Sequence, residues 1–342
     1  MNAKREQIAE CNSSTCEEID VRRRSVLFFG LAALFAGRGA YAQADWPSRP
    51  IHIIVPFSAG GAADTSARSV GAQLAEILGQ NVIVENRTGG NAVVAASAVL
   101  QAPKDGYTFI WDAANQLTNR VLIKDLQIDY RTAFVPITMA VRAPQVLVVR
   151  QDFPATNFVE FLDYVRAHPG TVSCGTPPTG AMGHLALALL QQRAGIRLLH
   201  TPYRGGADAA RDIMGGQIDS AIFTTSTARG PALGGKIRML AVTSAARNAA
   251  YPDVPTFAER GFPGYDMDDW FGVFAAAGIP PAIVPRMQAA VAQAVRNPRF
   301  IASMASLGMV PVANTSQEFS AWLAQQREVL EKLIHDANIT IG

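Results

Sequence analysis

Ser58, Asp64, Cys174 and His184 are the side chains of this 342-residue chain whose types and settings best suit chemistry. Each lies in or beside a glycine-bearing turn, Ser58-Ala59-Gly60-Gly61 before Asp64 and Cys174-Gly175 through Gly180 before His184. A hydrolase would pair Ser58 or Cys174 with His184 as base and an acid behind it. The local patterns argue against that. Pro56 sits two residues before Ser58, where a nucleophile elbow needs glycine. Cys174, a lone cysteine at a strand end, is of the type that fills cores. The histidines, His52, His168, His184, His200 and His335, lack the spacing of a metal site, and no Walker or dinucleotide glycine pattern occurs. No cofactor, no metal and no catalytic residue are expected, and the chain is not expected to be an enzyme.

The other chemistry open to such turns is capture of an anion by backbone N–H groups. The apolar run Ile51-His52-Ile53-Ile54-Val55 ends in Pro56-Phe57, two glycines follow, and apolar residues then recur at Ala63, Ala67, Val70, Leu74 and Leu78. That spacing predicts one buried helix face, with Gly79 as its stop. A strand passing through glycines into a helix aims free N–H groups, at the positive end of the helix dipole, at what lies above the loop. A carboxylate suits that seat without any charged side chain. Asp64 either orients the loop or serves as an ordinary first-turn acid. His184 either meets the ligand or bonds to backbone at a helix start, and Arg204 either supplies a cation or is solvated surface.

The pattern recurs, which makes it a theme rather than one turn. Strand 171–176, loop Pro177–Gly180 and helix Met182–Ala194 form a second copy. Strand 198–203, Arg204-Gly205-Gly206 and helix Ala207–Met214 form a third. Further strands are expected at Val82–Glu85, Tyr107–Trp111, Gln145–Arg150, Ile237–Val242 and Phe271–Ala275, and helices up to Leu100, over Asn157–Ala167 and from Ser316 to about Asp336. Such alternation predicts α/β layers over mainly parallel sheets. The composition, 49% hydrophobic and 17% charged, is globular, and a formal net charge of +2 with no basic run beyond Arg22-Arg23-Arg24 excludes nucleic-acid binding as a theme.

Export is expected. Arg22–Arg24 lead into the apolar run Val26–Ala36, too short to span a bilayer, and Ala40-Tyr41-Ala42 offers a small-residue cleavage site with a mature start near Gln43. The paired arginines resemble a twin-arginine signal imperfectly, with Val26 at the usual Phe position. Residues 1–20 are acidic for a leader, so translation is expected to begin near Val21. Cleavage removes six of the 30 basic and five of the 28 acidic residues, leaving 24 against 23 and a mature charge of +1. It also leaves Cys174 alone, so no internal disulfide is expected.

Several motifs together carry a resemblance. Pro56 to Asp64, Val84-Glu85-Asn86-Arg87, Asp105-Gly106-Tyr107-Thr108, Pro202-Tyr203-Arg204-Gly205, Gly215 to Asp219, Leu240 to Ser244, Asp253 to Thr256 and Trp270-Phe271-Gly272 resemble, in order and spacing, the Bug-type receptors of tripartite tricarboxylate transporters. The likeness runs from about Trp46 to the C-terminus. It implies a two-domain α/β architecture of the type II periplasmic-binding-protein kind, a Venus flytrap with two interdomain crossover strands near Gln145–Arg150 and Trp270–Ala275. Residues 43–144 plus 270–342 would form one discontinuous domain and 145–269 the other, with 1–42 removed.

The same resemblance implies a ligand site at Phe57, Ser58, Ala59, Gly60 and Gly61 with Asp64 behind them, facing Gly180, Ala181, His184 and Arg204. Asn115 and Thr224 complete it. It implies a small organic carboxylate as ligand, membrane transporter subunits or else a sensor kinase as partner, and a monomer. Some positions depart from the family pattern. The second loop is Arg87-Thr88-Gly89-Gly90-Asn91-Ala92 instead of Arg-Pro-Gly-Ala-Gly-Gly. Ala181 replaces a common serine, Thr224 replaces a common aspartate, and Asp112–Gln116 lacks the usual Gly/Ser-rich and Thr-His character. Loss of the jaw acid at Thr224 is expected to favour a ligand with more negative charge or without an amino group.

Overall fold

The computed structural model describes residues 46–340. The leader, its cleavage site, Cys11 and Cys16 lie outside the described residues. Two mixed sheets organise the chain. The first has the order β11-β4-β10-β3-β1-β2, from β1 (Ile51–Val55), β2 (Val82–Asn86), β3 (Thr108–Asp112), β4 (Phe134–Ala143), β10 (Asp269–Ala276) and β11 (Val310–Pro311). The second has the order β7-β6-β8-β5-β9, from β5 (Gln145–Arg150), β6 (Ser173–Thr176), β7 (Leu199–Pro202), β8 (Ser220–Thr224) and β9 (Ile237–Val242). The chain leaves the first sheet at Pro144 and returns to it through 243–268.

β1 runs parallel to β2 and β3, as crossover helices require, while β10 runs antiparallel to both β3 and β4. The second sheet repeats this plan: β6 is parallel to β7 and β8, and β5 is antiparallel to β8 and β9. Every residue of β8 and β10 is buried. Strands covered on both faces in this way show continuous apolar runs, not alternation.

Helices α1 (Ala62–Leu78), α2 (Val93–Gln101), α3 (Asn115–Leu122) and the four-residue α4 (Tyr130–Ala133) connect the first sheet. α5 (Phe158–Ala167), α6 (Met182–Ala194), α7 (Gly206–Met214) and α8 (Thr225–Leu233) serve the second. The tail supplies α9 (Ile283–Val295), α10 (Pro298–Ser306) and α11 (Ser316–Asp336). α11 packs its apolar stripe on β10, where the Phe319 ring meets Trp270 and Phe274 at centroid distances of 5.6 and 5.2 Å. Around the second sheet, the rings of Phe158, Phe257 and Tyr265 pack in series, tilted against one another, at 4.8 and 4.6 Å.

Two features run against local reading. β4 carries Pro136, a residue that argues against a central strand. It is tolerated because Pro136 pairs with Phe274 beside a register shift in the ladder, where the missing N–H is not needed. The stretch after β3 forms α3, whose Asn119 amide donates to the Asn91 carbonyl at 2.8 Å, while Asn91 returns a 2.7 Å bond to the Asn119 side chain. Asn91 sits at φ 55°, a left-handed position that asparagine accepts more readily than most residues. The unusual second loop is thus built into the fold through α3.

Candidate functional site

A small cavity of about 30 Å3 lies where loops of the two sheets meet. Phe57, Ser58 and Gly61 reach it from the β1–α1 loop, and Gly205 and Gly206 from the β7–α7 loop. Phe223, Thr224 and Thr227 arrive from the β8–α8 junction, Pro177 from the β6–α6 loop, and Asp269 and Phe271 from β10. The volume matches about one water molecule, so the two sides are closed upon each other. Gly205 shows how closely: a Cβ added there would stand 2.2 Å from Ser58 Oγ and 2.9 Å from Ser58 N. A second closure contact lies nearby, where the Thr118 hydroxyl of α3 donates to the Gly180 carbonyl at 3.0 Å.

Three helices begin at this cavity. α1 starts after Gly61, α7 after Gly205 and α8 after Thr224, and none of these caps accepts a hydrogen bond from its own first turn through a side chain. Some helix starts elsewhere are served by side-chain oxygens, as Asn157, Asn297 and Thr315 cap α5, α10 and α11. Helices α2, α3, α6 and α9 also lack such caps, so what sets α1, α7 and α8 apart is that they converge on one cavity. Three convergent, uncapped N-termini combine free N–H donors with partial positive charge, the requirements of an anion seat. The lining includes no lysine, arginine or histidine.

The first loop is held from behind. Asp64 accepts from Gly60 N at 2.9 Å and from Arg68 Nε at 2.9 Å. Arg68 also donates to Asn86, whose amide donates to the Phe57 carbonyl at 3.1 Å. Burial alone would raise the Asp64 carboxyl, but Arg68, Gly60 and Asn86 together hold it below its usual value. The acid is therefore ionised and braces the loop from outside the cavity.

On the opposite side, His184 Nδ1 accepts from Gly180 N at 3.1 Å, and its ring stacks on His200 at 3.9 Å. His200 donates to the Thr176 hydroxyl, which itself donates to the Pro177 carbonyl, both at 2.8 Å. Burial, then the neighbouring His200, lowers His184 to about 3, and burial lowers His200 to about 4. Two neutral rings thus buttress the 177–180 turn, and the His184 nitrogen that could serve as a base is already engaged.

Of the residues expected at the site, Phe57, Ser58, Gly61 and Thr224 meet at the cavity. Ala59 and Gly60 are exposed on the same loop, Asp64 is behind it, and Arg204 is exposed beside Gly205. Gly180, at φ 79°, packs against Leu122 and Thr118, and Ala181 caps α6. Asn115 is fully buried, with only a 3.4 Å contact to Asn119 and its side-chain oxygen without a partner. Ser58 Oγ is likewise buried without a partner among the described residues, so no base addresses it. Cys174 is fully buried in β6, its thiol pushed up to about 12 by burial, which suits packing and not attack. Thr227 and Asp269 join the site without having been singled out, and Asn86, Gly205, Gly206 and Phe271, noted only within motifs, join it or its support. Gly205-Gly206 before a helix repeats the visible signal of Gly60-Gly61, whereas nothing local marks Asp269.

No group of three or more potential metal-ligating side chains occurs among the described residues, and no described helix is long and apolar enough to cross a membrane. Two α/β sheets joined by two passages, with glycine loops meeting between them, are the architecture of periplasmic solute-binding proteins. Residues 66–339 match the family model described as tripartite tricarboxylate transporter family receptor, and the chain belongs to that family. A protein from the tcbD-tcbE intergenic region of Pseudomonas sp. (strain P51) is 34% identical over 94% of this chain and 97% of its own length. The structure of the periplasmic binding protein BugD is similar at TM-score 0.83 and 31% identity, covering 86% of this chain and all of that one. An R. palustris protein solved with adipate is similar at TM-score 0.82 and 32% identity, covering 87% and 100%.

Proposed function

We propose that this protein is an exported receptor that captures a small organic carboxylate between two hinged lobes and delivers it to the membrane subunits of a tripartite transporter. The convergence of three uncapped helix N-termini on one cavity that lacks cationic side chains carries this reading. A carboxylate fits such a seat because the donors are preorganised and the field favours one negative charge. Adipate in the R. palustris relative supports the same ligand class.

The lobes are residues 43–144 plus 270–342 and residues 145–269, pivoting where the chain passes between sheets. A cavity near 30 Å3 is too small for any such ligand, so the lobes must part to admit it and then close by a hinge motion. Phe57, Ser58 and Gly61, with Ala59 and Gly60 at the loop tip, hold the carboxylate from one lobe, and Thr224 and the 177–184 turn face it from the other. The receptor works as a monomer after loss of its leader, and it catalyses no reaction.

The test is thermal denaturation of the purified protein, unfolded and refolded to strip retained ligand, against mono-, di- and tricarboxylates, with sugars and metal cations alongside. A ligand at a hundred times its Kd adds about 2.7 kcal/mol. A raised midpoint with a carboxylate is the expected result; stabilisation by sugars or cations alone, with none from any carboxylate, contradicts it.

A further inference from the structure

We propose that Asp269 is a ligand-binding residue of the cleft, which donates a hydrogen bond as a neutral carboxylic acid to the bound carboxylate. This rests on the carboxylate-receptor reading and extends it to a residue that sets specificity. Asp269 opens β10 at the point where the chain re-enters the first sheet, and it lines the same cavity as Ser58, Gly61 and Thr224. It is only 6% exposed. Its Oδ1 accepts from Trp270 N at 2.9 Å, and no described residue donates to Oδ2.

The surroundings offer no counterion. Arg142 on β4 is taken by Asp268 at 3.2 Å and Asp266 at 3.6 Å. Arg68 on α1 is taken by Asp64, and Arg204, at the α7 edge, is exposed. From β3 the group facing it is another acid, Asp112, fully buried and bonded to Ala113 N and Gln116. On α6, His184 is neutral near physiological pH. Burial first, then Asp268 and Asp112, raise Asp269 to about 7. An ionised Asp269 would oppose the anion that three helix starts attract, whereas a neutral acid completes the seat with an O–H donor. The acid absent at Thr224 thus returns from the other sheet in protonated form, and a ligand carboxylate raises its proton affinity further. Binding above pH 7 therefore takes up one proton.

The experiment is calorimetric titration of the full protein, and of Asp269→Asn and Asp269→Ala, with succinate, malate and adipate at pH 6.0 and 9.0. Wild type is expected to bind at least tenfold more weakly at pH 9.0, with proton uptake seen as a dependence of binding heat on buffer. Asp269→Asn keeps a donor and the Trp270 contact, so it should bind at both pH values as wild type does at pH 6.0. Asp269→Ala should bind weakly at both. Dicarboxylate binding by wild type that ignores pH, or an Asn variant weakened throughout while its thermal midpoint is unchanged, overturns the role of Asp269 and leaves the receptor reading intact. No carboxylate binding by any form at pH 6.0 removes the receptor reading and this proposal with it.

Discussion

Gly205 and Ser58 face each other across the closed cleft, and the contact leaves no room for even a methyl group. A Cβ at 2.2 Å from Ser58 Oγ and 2.9 Å from Ser58 N is closer than real contacts allow, and one of those atoms is backbone that cannot swing aside. Gly205 is extended, with φ 179°, so alanine is conformationally acceptable in the open state. Gly205→Ala is therefore expected to leave the thermal midpoint of the ligand-free protein nearly unchanged. Because the arrangement it disfavours is too small to hold a carboxylate, it should leave the Kd for a carboxylate unchanged or lower it in calorimetric titration. A Kd raised tenfold, about 1.4 kcal/mol, would mean that the ligand-bound state also brings these loops into this contact.

At the level of elements, the helices divide by how their first turns are satisfied. α11 begins with a reciprocal capping box: Thr315 accepts from Glu318 N at 3.2 Å, and Glu318 accepts from Thr315 N at 2.8 Å. α5 and α10 use Asn157 and Asn297. α1, α7 and α8 have no such caps and start at the cleft, where α8 spends its first N–H on the Pro144 carbonyl at 2.8 Å. Stability and binding should therefore separate. Thr315→Ala removes half of the box and is expected to destabilise the protein by about 1 kcal/mol in denaturant titration while carboxylate affinity holds. A fall in affinity to match would show that α11, through Phe319 and β10, is coupled to the cleft.

For the molecule as a whole, the question is whether the closed arrangement is one of two states. In that arrangement a Cβ on Gly205 lies 3.2 Å from Ser58 Cβ, slightly inside the range of about 3.5–4.5 Å that disulfides span. The pair Ser58→Cys with Gly205→Cys is expected to form an intramolecular disulfide on oxidation, visible as a mobility shift on non-reducing gels. The oxidised protein should bind no carboxylate, because a cavity of about 30 Å3 stays shut, and reduction should restore binding. Cys174 does not interfere, being fully buried. A pair that never cross-links would place these loops permanently apart in solution.

Much of this protein is legible in one dimension. Helical and strand periods locate α1, β5, α6, β9 and α11 closely, because each carries its own apolar pattern and its own stop, such as Gly79 or Gly195. Glycine pairs before helices mark the β1–α1 and β7–α7 loops, since only backbone that must turn tightly needs them. β4 and α3 were not legible: Pro136 argues against a strand that a bulge opposite then permits, and α3 is held by Asn119 meeting Asn91, 28 residues away. Thr224 was placed at the site by resemblance, and Asp269 by nothing local. Its properties come from which residues surround it: burial, Asp112 from another strand, and an Arg142 already engaged by Asp268 and Asp266. Local periodicity and glycine usage decided the elements, because those depend on near neighbours in the chain. Only the tertiary structure decided which helix starts share one cavity and which acid lies without a counterion, because field and solvation depend on everything within a few ångströms, whatever its place in the sequence.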